Sequence, residues 1–141
     1  MHEALAKACF QRDAAFFNVG VATRLGMILH ENEFPVIDAT VVHKRPIRFK
    51  MTANNFDEEP PSVLILKPDG EVWKDALPGG VFHSGPHSRT GLPFICMRGA
   101  LEYHTHESHL GDKWETHRNV DGNGVVGILM QLAEAWRKAN P

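Results

Sequence analysis

Cys96 stands at the end of an apolar segment, Gly91-Leu92-Pro93-Phe94-Ile95-Cys96-Met97, with histidines on both sides of it. His83 and His87 precede the segment, and His104, His106 and His109 follow it. A thiol with imidazoles close by can act as a nucleophile served by bases and hydrogen-bond donors. The plain alternative is a buried, inert cysteine, since free Cys is among the most buried residue types. That window alone favours the inert cysteine, and the rest of the chain reverses the balance. Six of the nine histidines fall between residues 83 and 117, which gathers the imidazoles into one region of the fold. His2, His30 and His43 are scattered.

The scaffold for such a site fits in one domain spanning 1–141, because 141 residues suffice to bury a real core. A hydrophobic fraction of 43% and a charged fraction of 23% are ordinary for a globular chain. The net charge of -2 provides no field that draws in nucleic acid. No apolar run approaches the length of a membrane span, and the N-terminus does not read as a signal peptide. Cys9 and Cys96 are too few for a disulfide framework, so both are expected as reduced thiols in the cytoplasm.

Residues 3–17 are rich in Ala, Leu and Phe and lack Gly and Pro, which predicts a helix broken at Gly20. Val21 to His30 reads as a second helical segment or as a less regular continuation of the first. From Val36 to Val42 β-branched residues dominate, which suits a strand. Ile47, Phe49 and Met51 then alternate with Arg48, Lys50 and Thr52, the period of a half-buried strand. Val63-Leu64-Ile65-Leu66 reads as an inner strand. Lys67-Pro68-Asp69-Gly70 is a turn signal, returning Glu71 to Lys74 as a fourth strand. Residues 77–93 are rich in glycine and proline and read as a loop. Val125, Ile128, Leu129, Leu132, Ala133 and Trp136 recur at helical spacing, predicting an amphipathic helix over 125–139 packed on the sheet. The predicted class is α+β: an N-terminal helix, a four-stranded antiparallel meander, a long loop carrying Cys96, and a C-terminal helix.

This order, with several residues in it, resembles the ubiquitin-conjugating enzyme fold, and its divergent bacterial members in particular. In that family a Tyr-Pro-x-x-Pro-Pro-x-Val segment follows the meander. Here Phe56-Asp57-Glu58-Glu59-Pro60-Pro61-Ser62-Val63 keeps the spacing, with Phe for Tyr and without the first Pro. A His-containing motif then precedes the family's cysteine segment, as His87 precedes Phe94-Ile95-Cys96-Met97. Trp114 and the helix over 125–139 resemble the family's downstream tryptophan and closing helix. The family's His-Pro-Asn motif is absent, and His83-Ser84-Gly85-Pro86-His87 occupies its place.

The resemblance implies a cysteine-dependent acyl transferase without a cofactor or resident metal. Its expected partners are a ubiquitin-like protein, an activating enzyme that hands it over, and a target protein carrying the acceptor amine. Cys96 would carry the modifier as a thioester. An unperturbed thiol, with a pKa near ~8.5, is only a few per cent thiolate at neutral pH, so a helper is needed. His87 is the first candidate, followed by His83 and His104, with His106 weaker; one of these imidazoles would also replace the missing oxyanion-stabilising asparagine. His109 and His117 read as surface or loop residues. Cys9 reads as helix packing, and Trp114 as a core or lid residue. Pro60 and Pro61 either shape a turn or frame a docking surface. The resemblance further implies a cytosolic bacterial system, and defence against phage fits such systems.

Two other readings compete. On a strand, His104 and His106 would point to one face, as metal ligands should, and Glu107, His109 and His117 could complete a cupin-like site. Against it stand the closing helix and too few strands for a barrel. A non-catalytic module that only binds a ubiquitin-like protein is the third reading, against which the retained Cys96 argues.

Overall fold

A computed structural model of the chain describes residues 1–141. Helix α1 (Glu3–Ala14) starts where the His2 ring accepts the Ala4 N–H, and it buries Ala6, Phe10 and Ala14 at four-residue spacing. Its end differs from the expectation based on Gly20. The chain leaves α1 after Ala14, and Gly20 lies inside a second, short helix α2 (Val19–Arg24), capped by the Asn18 side chain on Val21 N–H. Gly26, at φ +74°, then turns the chain into a strand; a Cβ there would meet the Arg137 guanidinium at 2.7 Å.

That strand, β1 (Met27–Glu33), takes the second half of the helical segment expected over Val21–His30, whose first half, Val21–Arg24, is helical in α2. It pairs antiparallel with β2 (Val36–Val41), which pairs with β3 (Ile47–Thr52), which pairs with β4 (Ser62–Leu66), in sheet order β1-β2-β3-β4. The alternation expected in β3 is present: Ile47, Phe49 and Met51 are buried and Arg48, Lys50 and Thr52 half-exposed. The return strand expected over Glu71–Lys74 shrinks to a single bridge between Leu66 and Val72. Trp73, whose N–H still donates to Ile65 C=O, turns its ring inward, edge-on to Trp136 at 5.8 Å.

Helix α4 (Val125–Ala139) matches its expected range and buries Val125, Val126, Ile128, Leu129, Leu132, Ala133 and Trp136 in one core with the sheet and α1. Trp136 also packs edge-on against Phe82 at 5.0 Å and donates its indole N–H to Arg45 C=O. The fold is α+β, with an N-terminal helix, a four-stranded antiparallel sheet and a C-terminal helix. No helix is long and apolar enough to cross a membrane.

Candidate active site

The segment expected as loop carries a two-residue hairpin that fixes Cys96 from behind. Strand β5 (Phe82–His83) pairs with β6 (Phe94–Ile95), and Phe82, Phe94 and Ile95 are buried. Cys96 follows at once, its N–H donating to Val81 C=O at 2.6 Å. Ahead of it the chain makes a turn closed by Ala100 N–H on Met97 C=O, with Gly99 at φ +98°. A Cβ on Gly99 would also press on Ile128 of α4 at 3.1 Å, so this turn requires glycine on both counts.

A short helix, α3 (Leu101–Thr105), comes next and is tied to the sheet by its own residues. Glu102 is buried and takes both Val63 N–H and Ser62 O–H at 2.7 Å, while Leu101 N–H donates to Pro61 C=O. Pro60 and Pro61 are buried, so they shape this junction and offer no docking surface. Trp114 is buried too, 6.4 Å from Phe56, and its indole N–H donates to Asp57 C=O.

The group beside the sulfur is His109. Its Nε2 lies 3.4 Å from Cys96 Sγ, and its ring is stacked on Tyr103 at 4.1 Å. Asp112 holds this arrangement together. Its carboxylate accepts from Tyr103 O–H, Arg98 Nε and His117 Nε2, each at 2.6 Å. Those three contacts, His117 first, keep the Asp112 carboxyl far below the usual carboxylate range. Burial pushes the Cys96 thiol up, which favours a protonated resting sulfur. A protonated thiol against an imidazole nitrogen is the geometry of a nucleophile with its general base.

The other candidate imidazoles are placed differently. His87 is buried; its Nδ1 accepts Arg89 N–H and its Nε2 donates to Glu102 C=O at 2.9 Å, so both nitrogens are engaged. His83 is exposed, accepts Gly85 N–H, and stacks on one face of Phe94 at 4.9 Å. His106 stacks on Phe94 at 5.3 Å and accepts Ser108 N–H. His104 accepts Gly99 N–H at 3.1 Å and donates from Nδ1 to Asp112 C=O at 2.8 Å; burial lowers its pKa. The structure therefore brings His104 to the turn after Cys96, and brings His109, which the sequence marks only as a loop histidine, to the sulfur itself. The strand needed to align His104 and His106 for a metal is absent, since His104 lies in α3 and His106 caps the next turn. No three His, Cys, Asp or Glu side chains are grouped as a metal ion requires.

One comparison bears on this region. Residues 85–138 match the Y4jH family. The matched stretch holds Cys96, His109, Asp112 and most of α4. The uncharacterized protein y4jH of Sinorhizobium fredii (strain NBRC 101917 / NGR234) is 42% identical over 38 residues, which are 27% of this chain and 18% of that protein. The alignment thus spans less than a fifth of that relative's length.

Proposed function

We propose that this protein is a conjugating enzyme which accepts a ubiquitin-like protein from an activating enzyme as a Cys96 thioester and passes it to an amine on a target. The observation that carries this reading is the Cys96–His109 pair, 3.4 Å apart, on a half-buried cysteine held between a hairpin and α3. The order helix, four-stranded meander, cysteine segment, helix supports the likeness to the conjugating fold. Clefts lie along α1, at the start of α4, beside the end of α2, beside β1 and at the start of α1, and none of these five is lined by Cys96 or its neighbouring histidines. Small substrates are usually held in concave pockets, whereas an extended protein C-terminus can be delivered to a half-buried thiol by docking elsewhere.

In the first step His109 Nε2 takes the Cys96 thiol proton as sulfur attacks the incoming thioester carbonyl. The carbon–sulfur bond to the activating enzyme breaks, and that thiolate leaves and is reprotonated. In the second step the acceptor amine attacks the Cys96 thioester, a carbon–nitrogen bond forms, the carbon–sulfur bond breaks, and the proton given up by the amine passes by way of His109 to the departing Cys96 sulfur. His109 takes the helper's role first expected of His87, whose ring nitrogens are both committed to the backbone. The setting is the cytosol of a bacterium, with the activating enzyme and modifier as partners.

The test is a non-reducing gel after mixing with ATP, an activating enzyme and a ubiquitin-like protein from the gene neighbourhood. A thiol-sensitive adduct in wild type and Cys9→Ala, lost in Cys96→Ala, is the expected result. An adduct that survives Cys96→Ala, or none with any such pair, would overturn the reading.

A further inference from the structure

Transfer from a thioester passes through a tetrahedral oxyanion, and a hydrogen-bond donor has to meet that charge. The conjugating family's asparagine is absent from the His83–His87 segment, and the imidazole that stands in its place, His87, already donates to Glu102 C=O. The backbone beside the sulfur offers donors of its own. Cys96 N–H is taken by Val81 C=O, Gly99 N–H by His104 Nε2 and Ala100 N–H by Met97 C=O. Met97 N–H and Arg98 N–H are left without an acceptor in the protein.

We propose that the Met97 and Arg98 N–H groups form the oxyanion site of Cys96, with His104 as the positioning residue that holds their turn. This rests on Cys96 being an acyl carrier. The N–H directly after the nucleophile is an oxyanion donor in the α/β-hydrolases, whose acyl transfer passes through the same kind of intermediate. Here the turn is rigid on three sides. Met97 packs on the core, Gly99 lies against Ile128, and His104 pins Gly99 N–H while anchored to Asp112 C=O. Donors fixed in this way cost no reorganisation when charge develops on the carbonyl oxygen.

Turn geometry supplies the experiment. Arg98 occupies the second position of a turn whose third residue, Gly99, has φ +98°, and proline is favoured there in such turns. Arg98→Pro deletes the N–H, and Arg98→Ala is its reference because it loses the same side chain and keeps the N–H. Two reagents are applied to each full-length variant and followed by intact mass. N-acetyl-S-acetylcysteamine acylates Cys96 through an oxyanion, and iodoacetamide alkylates it without one. Acylation of Arg98→Pro should fall about 10-fold or more below Arg98→Ala, as for loss of one oxyanion donor in a half-exposed site, with alkylation unchanged. Should Arg98→Pro lose its fold by circular dichroism, the same comparison is made on a chain joined by ligation at Cys96. There an ester replaces the Cys96–Met97 amide and removes only the Met97 N–H, with the all-amide chain made by the same ligation as reference and the same expected loss. Acylation that is unchanged, or that falls in step with alkylation, overturns the proposal. Neither reagent needs a modifier or an activating enzyme, so this result stands apart from that of the gel assay.

Discussion

Replacing His109 by phenylalanine isolates what its nitrogen does for Cys96. Phenylalanine keeps a flat ring to lie on Tyr103, now 4.1 Å from the imidazole, and removes the Nε2 that sits 3.4 Å from sulfur. An ordinary thiol with a pKa near ~8.5 is about 3% thiolate at pH 7. Burial pushes Cys96 above its ordinary value, so its unaided thiolate fraction is smaller still. If His109 takes the proton as sulfur attacks, the whole population reacts instead of that fraction, an advantage of about 30-fold or more at pH 7. The benefit exists only while the thiol is protonated, so it fades as pH rises through the thiol's own titration. The expected outcome is therefore a pair of iodoacetamide pH–rate curves that differ by about 30-fold or more at pH 7 and converge at alkaline pH, above the ordinary thiol pKa near ~8.5. Superimposed curves across that range would refute His109 as the base. A wild-type-like curve for His109→Phe beside a depressed one for a folded His87→Gln would return the role to His87.

Three further outcomes follow from contacts around the site and the core. The Asp112 carboxyl is held low by His117, Tyr103 and Arg98, so its stabilisation is complete above the ordinary carboxylate pKa near ~3.9 and is lost as pH falls below it. Acid unfolding followed by tryptophan fluorescence should be shallower in Asp112→Asn than in wild type over that acid range, and equal slopes would unlink this carboxylate from folding. Trp136→Ala removes a fully buried ring that packs on Trp73 and Phe82, and should cost about 3–5 kcal/mol in urea denaturation. Glu102→Ala strands the Val63 N–H and Ser62 O–H, a loss of about 1–3 kcal/mol, with Val63 amide exchange accelerated as the local sign.

The elements that bury one regular stripe were legible in the chain. Helix α4 repeats its apolar residues at helical spacing, and β3 alternates, because each shows a single face to the core. Strand β1 was hidden for the opposite reason: it is an edge, only Met27 is buried, and Ile28 points outward at 53% exposure. No period survives in such a strand, and its residues then resemble a helix as well as anything. Helix α3 is equally silent, since Ala100 gives it no side-chain cap and its inward residue is a glutamate. Cys96 and the imidazole-rich region could be read from spacing. Which imidazole meets the sulfur could not, because that is decided by the Tyr103 stack and by Asp112 gathering Arg98, Tyr103 and His117 across the intervening turns.

The same geometry changes what the abundance of histidine means. Five of the nine histidines use Nδ1 to accept the N–H two residues ahead: His2 from Ala4, His43 from Arg45, His83 from Gly85, His87 from Arg89 and His106 from Ser108. This is the local bond by which Asx side chains build turns, made here by imidazole. Three of the five lie in the segments flanking Cys96, where glycine and proline leave the chain dependent on side chains for its turns. Clustering of imidazoles near a thiol thus has a structural source that owes nothing to catalysis. His104 also spends its ring on the backbone, one nitrogen on a N–H and the other on a C=O, and so acts on the site only by holding the turn after Cys96. His109 stands apart, because its Nε2 faces sulfur and not the backbone. The chemical reading of this site therefore rests on one imidazole out of six in the region, and the pH profile of that residue carries more weight than any count of histidines.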